Sequence, residues 1–175
     1  MFAEHGYAET TVAAVAGHAG LTERTFFRYF DDKKEVLFVE NGLGELVAAR
    51  TAASNSASVL EQAADGFRAI AEQLQSEPAR VRRRARIVAA TPELQEREMR
   101  KFSQWTTAVT QALTDKAVEP LPARIAAEVA TALFRIAYIN WTEASDHVDL
   151  IDTVDALLEI HRSVTSASPR ADTIA

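Results

Sequence analysis

The chain of 175 residues contains no cysteine. This absence excludes disulfide bonds, thiolate metal sites and cysteine nucleophiles. The sequence also lacks the long unbroken apolar run of a transmembrane helix, and its start lacks the basic and apolar regions of a secretory signal. We therefore expect a cytoplasmic protein with no membrane partner.

Signatures of catalysis and metal binding are missing as well. The sequence contains no GxSxG, HExxH, P-loop or dinucleotide-binding motif. None of the four histidines lies three residues after a glutamate, which counts against a di-iron helical bundle. We expect no enzyme, no cofactor and no metal site.

Charge and hydrophobicity narrow the class further. The net charge of −6 argues against a protein that coats nucleic acid through its overall field, although it allows a small local surface that reads DNA. With 47% hydrophobic residues, the chain can bury a sizeable core. A folded protein with a localised binding surface is the expectation.

Apolar residues recur at intervals of three and four along most of the chain, and no segment of useful length alternates with a period of two. Pro78 and Pro92 stand where the first turns of helices would begin. The pattern predicts an all-α chain. The expected helices cover residues 10–18, 22–30, 33–54, 57–76, 78–90, 92–118, 122–146 and 149–166, within a few residues at each end.

Two short helices near the start are joined by a glycine-containing turn, which is the helix-turn-helix arrangement. Thr22 is a natural N-cap for the second helix, and Thr10 or Thr11 for the first. In the second helix, Phe26 and Phe30 are four residues apart and are expected to share a core face. The outward face then carries Thr22, Arg24, Thr25, Phe27, Arg28 and Tyr29. Because an α-helix fits the major groove of DNA, we interpret this face as a DNA-reading surface.

The run FAEHGYAETTVAAVAGHAGLTERTFFRYFDDKKEVL, residues 2–37, resembles the DNA-binding domain of the tetracycline-repressor (TetR) family of transcriptional regulators. The pattern GY…TTV..VA..AGLT..T.FRYF..K is matched as a whole. The resemblance implies a helix-turn-helix DNA-binding domain in residues 1–50 and a helical-bundle ligand-binding and dimerisation domain in residues 51–168, before a tail, 169–175, that we expect to be frayed. The positions that match the family's DNA-facing residues are Thr11, Thr22, Glu23, Arg24, Thr25, Phe27 and Tyr29, and Lys33 matches its phosphate-contacting lysine.

The match departs from the family pattern at two places. Many family members have tyrosine where this chain has Phe27, so a hydroxyl contact to phosphate would be missing there. The family's first helix usually starts further upstream than Met1. We therefore expect a truncated first helix and a loosened core in the DNA-binding domain, because each lost apolar contact lowers stability.

The C-terminal part resembles actinobacterial members of the same family, around RRRARIVAATPELQEREMRKF and ARIAAEVATALFRIAYINW. Its large apolar side chains could line a cavity for a small hydrophobic or acyl-type effector. The candidates are Phe67, Ile70, Phe102, Trp105, Val109, Phe134, Tyr138 and Trp141. Ordinary core packing is the alternative for each of them. Trp105 and Tyr138 are favoured as ligand contacts because each combines an apolar body with a polar group.

The run RVRRRAR, residues 80–86, is strongly basic and could be a nucleic-acid patch. Glutamates just beyond it favour a solvated helix face instead. An anion site for the acidic headgroup of a ligand is a further alternative.

These features together predict a DNA-binding transcriptional regulator. It would be a repressor that binds a palindromic operator in double-stranded DNA as a homodimer and is released by a small effector. The last two long helices would form the dimer interface with those of the partner. The alternative is a helical small-molecule-binding or structural bundle that has lost DNA binding.

Overall fold

A computed structural model describes residues 1–39, 42–144 and 148–166 of the chain. Its helices are α1 (Phe2–His5), α2 (Val12–His18), α3 (Glu23–Phe27), a 3₁₀ turn (Glu35–Leu37), α4 (Leu43–Ala53), α5 (Val59–Gln75), α6 (Pro78–Ala89), α7 (Pro92–Asp115), α8 (Pro120–Glu143) and α9 (Leu150–Ser166). No residue in the described ranges lies in a β-strand, so the all-α prediction is confirmed.

Three of the C-terminal helices begin at prolines. Pro78, Pro92 and Pro120 occupy the first turns of α6, α7 and α8, where a backbone N–H has no partner within the helix. The sequence pattern therefore placed these helices within a few residues of their observed ends. Within the described part of the chain, no helix is both long enough and apolar enough to cross a membrane.

The single helix predicted over residues 33–54 is wrong. The segment instead forms the 3₁₀ turn, a non-helical stretch at Phe38 and Val39, and α4 from Leu43 onward. Gly42 adopts a left-handed backbone conformation with φ of 71°, which an α-helix cannot contain and which glycine adopts without steric cost. The helix predicted over 22–30 is also shorter than expected, because α3 ends at Phe27 and its last turn continues as a hydrogen-bonded turn.

A large core holds α4, α5, α7, α8 and α9 together. Its largest side chains form a chain of ring contacts: the Phe67 and Phe134 centroids lie 5.1 Å apart, and those of Phe134 and Tyr138 lie 6.4 Å apart. Trp105 and Trp141 are each only 1% exposed. Burial of this many large rings makes the C-terminal bundle the main source of apolar stabilisation.

The backbones of α4 and α5 approach each other closely at Gly66. A Cβ atom placed there would lie 2.3 Å from Thr51 Oγ1 and 2.7 Å from the carbonyl oxygen of Val47. Only glycine permits this crossing, so α4 is fixed firmly against the C-terminal bundle.

A second, smaller core joins the N-terminal region to the bundle. Tyr7 and Phe38 are buried here against Val88 of α6 and Leu94 of α7. The partly buried side chains around them are Phe2, Leu37 and Ile87. The segments that precede α2 and follow α3 therefore pack on the corner between α6 and α7.

The two cores bear on the division of the chain proposed at residue 50. Leu43 and Val47 of α4 lie in the large C-terminal core, although that division assigns them to the DNA-binding domain. α4 thus connects the two parts and packs with the second. The tail that we expect to be frayed, 169–175, lies outside the described residues.

Candidate nucleic-acid interface and effector cavity

Threonine caps set the starts of the two short helices. The Thr11 hydroxyl accepts a hydrogen bond from the Ala14 N–H at 3.1 Å, and the Thr22 hydroxyl accepts one from the Thr25 N–H at 3.1 Å. Each cap satisfies a backbone donor that the helix leaves without a partner, which lets helices this short begin at a defined residue. The predicted cap at Thr22 is confirmed. Thr11 rather than Thr10 caps the first helix.

The core side of α3 is as the spacing predicted. Phe26 is 2% exposed, and its ring centroid lies 5.1 Å from that of Phe30. The turn between α2 and α3 relies on Gly20, whose φ of 69° lies in the left-handed region. The packing of Phe26 and the conformation of this turn together fix which side of α3 faces outward.

The outward side of α3 and the residues just after it carry large side chains that remain more than half exposed. Phe27 is 52% exposed and Tyr29 is 65% exposed. Arg28 donates a hydrogen bond to the Tyr29 hydroxyl at 2.9 Å and lies over its ring. Of the predicted DNA-facing residues, those that are exposed are Thr11, Thr22, Glu23, Arg24, Phe27 and Tyr29, and Thr25 is half-buried. Such a surface of rings, hydroxyls and guanidinium groups fits a major groove and its phosphates.

Lys33, which matches the family's phosphate-contacting lysine, has a different set of neighbours. Its ammonium donates to the carbonyl oxygens of Tyr7 at 2.7 Å, Ala8 at 3.2 Å and Thr10 at 3.1 Å. It also lies 4.3 Å from the centre of the Tyr7 ring. Three acceptors match the three N–H groups of an ammonium, so Lys33 ties the loop before α2 to the segment after α3. A phosphate contact by this lysine stays a prediction that competes with this internal role.

The eight candidate effector-binding residues are all buried in the large core, but they do not all line a cavity. A cavity of about 70 Å³ is lined by four of them, which are Phe102, Trp105, Phe134 and Tyr138. The other four, Phe67, Ile70, Val109 and Trp141, are not part of its lining and pack in the core. The cavity has the volume of about two water molecules, so an acyl chain would have to enlarge it.

The remaining wall of the cavity comes from residues that the ring pattern did not reveal. Leu37, Phe38 and Val39 cover it from the N-terminal side, and Arg84 and Lys101 add charged groups. These residues are far apart in the sequence, so no local pattern could have brought them together. The cavity therefore lies where the helix-turn-helix region meets the bundle.

Arg84 is the central polar group of this wall. Its Nη1 and Nη2 donate to the two carboxylate oxygens of Glu98 at 3.1 Å and 2.5 Å, and its Nε donates to the carbonyl oxygen of Leu37 at 2.6 Å. Nη1 also lies 3.5 Å from the Tyr138 hydroxyl. Lys101 Nζ is 3.0 Å from Glu98. The cluster is enclosed, since the Arg84 and Glu98 side chains are 16% and 10% exposed.

Both members of this pair are charged. Burial by itself would raise the pKa of the Glu98 carboxyl, but the hydrogen bond from Arg84 and the charge of Lys101 bring that pKa below its ordinary value. Burial by itself would lower the pKa of Arg84, but its hydrogen bond to Glu98 and the charge of Glu98 have the larger effect and raise that pKa above its ordinary value. Burial also raises the pKa of the Tyr138 hydroxyl, to about 12, so it stays neutral at physiological pH.

The basic run 80–86 is divided between two environments. Arg83 and Arg86 are exposed, and Arg80 forms an exposed ion pair with Glu77 at 2.6 Å. Arg82 is buried with its guanidinium 5.0 Å from the Trp141 ring centre, and Arg84 belongs to the cavity wall. The solvated-face interpretation therefore holds for three of these arginines and is wrong for Arg82 and Arg84.

α8 and α9 leave large apolar side chains uncovered. The exposed ones are Leu121, Ile125, Ile136 and Ile139 on α8, and Ile160 and Val164 on α9. They fall into pairs spaced by three or four residues, so each pair lies on one face of its helix. A concentration of exposed apolar residues on two adjacent helices is typical of a protein–protein interface. Among the described residues, no cluster of side chains is suited to a metal ion.

A short helix-turn-helix packed on a larger helical bundle that contains a cavity defines the class as an all-α bacterial regulator. Residues 1–40 match the family described as bacterial regulatory proteins of the tetR family. Residues 57–165, more than half of the chain, match the MftR C-terminal domain. The chain belongs to the TetR family of transcriptional regulators, with a C-terminal domain of the MftR type.

One curated relative is a protein of Mycobacterium tuberculosis named as the mycofactocin biosynthesis transcriptional regulator MftR. The two sequences are 29% identical over 119 residues, which is 63% of this chain. The aligned part spans 57% of that protein, so the chain covers less than two thirds of its length.

Two solved structures share the fold. A TetR-family transcriptional regulator of Mesorhizobium loti superposes with a TM-score of 0.60 at 19% identity, over 93% of this chain and 90% of the other. The TetR-family repressor FadR of Thermus thermophilus, solved in complex with lauroyl-CoA, has a TM-score of 0.52 at 18% identity, over 97% of this chain and 92% of the other. At these identities the likeness establishes the common fold.

Proposed function

We propose that the chain is a cytoplasmic transcriptional repressor that binds a palindromic operator in double-stranded DNA as a homodimer. The observation that carries this proposal is the uncovered face of α3, where Phe27, Tyr29 and Arg28 stand exposed beside two capped helix starts. A core role does not account for rings left in solvent, whereas a groove of DNA would cover them.

The DNA-facing roles follow from position on this face. Arg24 is exposed on the first turn of α3, and Thr25 follows it, so we assign these two residues to base edges. Tyr29 and Arg28 lie beyond the end of α3, which suits contacts to phosphates.

The homodimer is supported by the apolar faces of α8 and α9. Ile125, Ile136 and Ile160 are each about half exposed, which a folded chain would not retain at this density without a partner surface. Packing of these two helices against the same helices of a second copy would bury them around a two-fold axis. A two-fold axis then explains a palindromic operator, because two α3 helices would read equivalent half-sites.

A small hydrophobic or acyl-type effector is supported by the cavity. Its apolar wall contains Phe102, Trp105 and Phe134, and its polar wall contains Arg84, so it suits a molecule with an apolar body and a polar end. The FadR repressor, which shares the fold, was solved in complex with lauroyl-CoA, and this supports an effector of the same kind here. Effector binding would release DNA only if it favours a dimer geometry with a different spacing of the two α3 helices.

The experiment that tests the proposal is a selection of binding sites from a pool of random duplex DNA, followed by sequencing and by sedimentation of the complex. We expect a palindromic consensus with half-sites about one helical turn apart, or a multiple of it, and two chains per duplex. Failure to enrich any sequence would favour the alternative, a helical bundle that does not bind DNA.

A second measurement tests the effector. Trp141→Phe leaves Trp105, on the cavity wall, as the single tryptophan of the chain. Titration of this variant with dodecanoate and with lauroyl-CoA should change the Trp105 emission and lower the affinity for the selected duplex. Binding that changes the emission but leaves DNA affinity unchanged would contradict the regulatory part of the proposal.

A further inference from the structure

Arg84 donates hydrogen bonds both to the segment after the helix-turn-helix and to the interior of the bundle. Its Nε holds the Leu37 carbonyl at 2.6 Å, while its two Nη atoms hold Glu98 of α7. The guanidinium also lies 4.6 Å from the centre of the Phe38 ring. A guanidinium is a rigid planar fork, so a movement on the Glu98 side changes the direction of the Nε–H bond on the other side.

The segment held by Arg84 is the one that sets where the DNA-binding surface lies. On its N-terminal side is the helix-turn-helix, tied to the loop before α2 through Lys33. On its C-terminal side is α4, fixed in the large core by Val47 and by the close approach at Gly66. Between these fixed parts, residues 35–39 form a single 3₁₀ turn that ends at Leu37, followed by a non-helical stretch, and both are weaker than an α-helix.

The cavity wall on the N-terminal side is held less rigidly than the rings on the other side. Trp105 and Phe134 are at most 1% exposed. Leu37 is half-buried and Val39 is 56% exposed, while Phe38 between them is buried in the second core. Close-packed interiors resist displacement, so a ligand that enlarges a cavity of about 70 Å³ would displace Leu37 and Val39 before the rings.

We propose that Arg84 is a positioning residue that holds residues 37–39 closed over the cavity, and that effector binding weakens DNA binding by breaking the bond between Arg84 and the Leu37 carbonyl. This inference rests on the proposed function and names the contact that would connect the cavity to the DNA-binding surface. Glu98 is the partner that keeps the Arg84 fork in place.

The test uses the double variant Arg84→Met with Glu98→Gln in the full chain. Removing both charges avoids leaving a buried carboxylate without its partner, and the amide oxygen introduced at position 98 can still accept a hydrogen bond from Lys101. We expect the amides of residues 37–39 to exchange faster, while those of α8 keep their protection. We also expect the affinity for the selected duplex to fall by about tenfold, and the effect of dodecanoate on that affinity to shrink to a small part of the wild-type effect.

The matched control is Arg100→Met with Glu96→Gln. This pair has the same chemistry and lies on α7, but it is exposed, with Arg100 Nη2 2.8 Å from Glu96. It should leave exchange of residues 37–39, duplex affinity and the dodecanoate response unchanged. The conservative variant Arg84→Lys keeps a charge for Glu98 but has no fork that reaches Leu37 as well. It should show faster exchange at residues 37–39 with an intact bundle, even if the double variant does not fold.

The outcomes separate this inference from the proposed function. If the wild-type chain enriches no duplex, the proposed function fails, whatever the variants show. If the wild type binds a duplex and both Arg84 variants bind it equally, with unchanged exchange at residues 37–39, the role of Arg84 is wrong and the regulator remains. Faster exchange with an unchanged dodecanoate response would also overturn the role, because the bond would then be structural only.

Discussion

The helix-turn-helix region and the C-terminal bundle are stabilised in different ways. In the helix-turn-helix region, α1, α2 and α3 have four, seven and five residues, and the buried residues of α2 and α3 are Ala16 and Phe26. In the bundle, α7 and α8 have 24 residues each, and the core contains stacked rings. The helix-turn-helix region keeps its shape through helix caps, a glycine turn and the hydrogen bonds of Lys33, whereas the bundle depends on apolar burial.

This difference suits the two tasks proposed for the molecule. A DNA-binding surface has to expose side chains and so has little apolar area left for its own core. A bundle that holds both a cavity and a dimer face has to stay folded while part of its wall moves. We therefore expect the helix-turn-helix to open locally at a lower free energy than the bundle unfolds.

The largest effect on the free energy of unfolding should follow from the substitution Phe134→Ala. Phe134 is fully buried and contacts Phe67, Trp105 and Tyr138 through its ring. Loss of the ring should lower the free energy of unfolding by about 3–5 kcal/mol, so that no cooperative unfolding transition remains near the melting temperature of the wild type.

The substitution Phe26→Ala removes an equally buried ring from the helix-turn-helix region. It should increase amide exchange in α2 and α3 while the main denaturant transition stays near that of the wild type. A loss of the whole fold in Phe26→Ala would show that the two regions unfold as one unit.

The substitution Gly66→Ala should have the next largest effect on the free energy of unfolding. The added methyl would collide with the Val47 carbonyl, which is backbone and cannot rotate away, so α4 would have to shift from α5. We expect a loss of about 3 kcal/mol in urea denaturation, at the upper end for overpacking. The matched control is Gly17→Ala in α2, where a methyl would meet open space and alanine is the better helix former. That change should be neutral or stabilising by up to about 1 kcal/mol. Equal stability of the two variants would contradict the tight α4–α5 crossing.

Sequence reasoning succeeded where structure is decided locally and failed where it is decided by distant contacts. The cap at Thr22, the shared face of Phe26 and Phe30 and the proline starts of α6 and α7 are all set within a few residues. All eight candidate effector-binding residues are buried in the large core, and core packing was the alternative considered for each of them. The periodic pattern could not separate those on the cavity wall from the rest, because that wall is completed by Leu37, 47 residues before Arg84.

The break at Gly42 is a different kind of miss, because its signal is local. The apolar spacing of segment 33–54 is compatible with one helix, but the segment contains Asn41-Gly42, a dipeptide typical of turns. Gly42 takes a left-handed conformation, and Phe38 before it is buried against Val88 and Leu94. The burial of Arg82 and the enclosure of Arg84 were missed because five arginines close together are usually solvated.

The pH dependence of the Arg84–Glu98 pair gives a smaller, directional effect. Interactions with Arg84 and Lys101 hold the folded-state pKa of Glu98 below its ordinary value of 4.5, so the pair stabilises the fold above that pH and loses this contribution as pH falls through the folded-state pKa. At pH 7, Glu98→Gln should cost about 1.5–3 kcal/mol, the range for a hydrogen bond to a charged group. The difference between wild type and variant should begin to shrink as pH falls below 4.5, where Glu98 of the unfolded chain takes up a proton, and it should be lost as pH falls through the lower pKa of the folded state. Tyr138, the other polar neighbour, stays neutral throughout this range.

Urea denaturation at several pH values between about 3 and 7 measures this effect, and Glu96→Gln is the control. Glu96 lies on the same helix in an exposed pair with Arg100, so its replacement should change stability by less than about 1 kcal/mol at any pH. A Glu98→Gln deficit that stays constant down to about pH 3 would contradict the lowered pKa of Glu98 as a source of stability.

The smallest effect on global stability, and the sharpest on the helix-turn-helix, should come from Lys33→Met. Loss of the ammonium leaves the Tyr7, Ala8 and Thr10 carbonyls without this donor. The free energy of local opening of residues 7–12, measured by amide exchange, should therefore fall by about 1–2 kcal/mol. The bundle transition in urea should not change. Lys34→Met is the matched control, because that neighbouring lysine forms only a surface ion pair with Asp32 at 2.9 Å.

DNA binding by the same variants decides between the internal and the phosphate-contacting role of Lys33. If the ammonium contacts a phosphate, Lys33→Met should lower the slope of log affinity against log salt by about 0.9, and Lys33→Arg should restore it. If it acts through the loop, both variants should weaken duplex binding with the wild-type salt slope, because a planar guanidinium does not match three converging carbonyls. We expect the second result. Restoration of both affinity and slope by arginine would show that charge is what matters at this position, and that the helix-turn-helix does not depend on the Lys33 contacts for its shape.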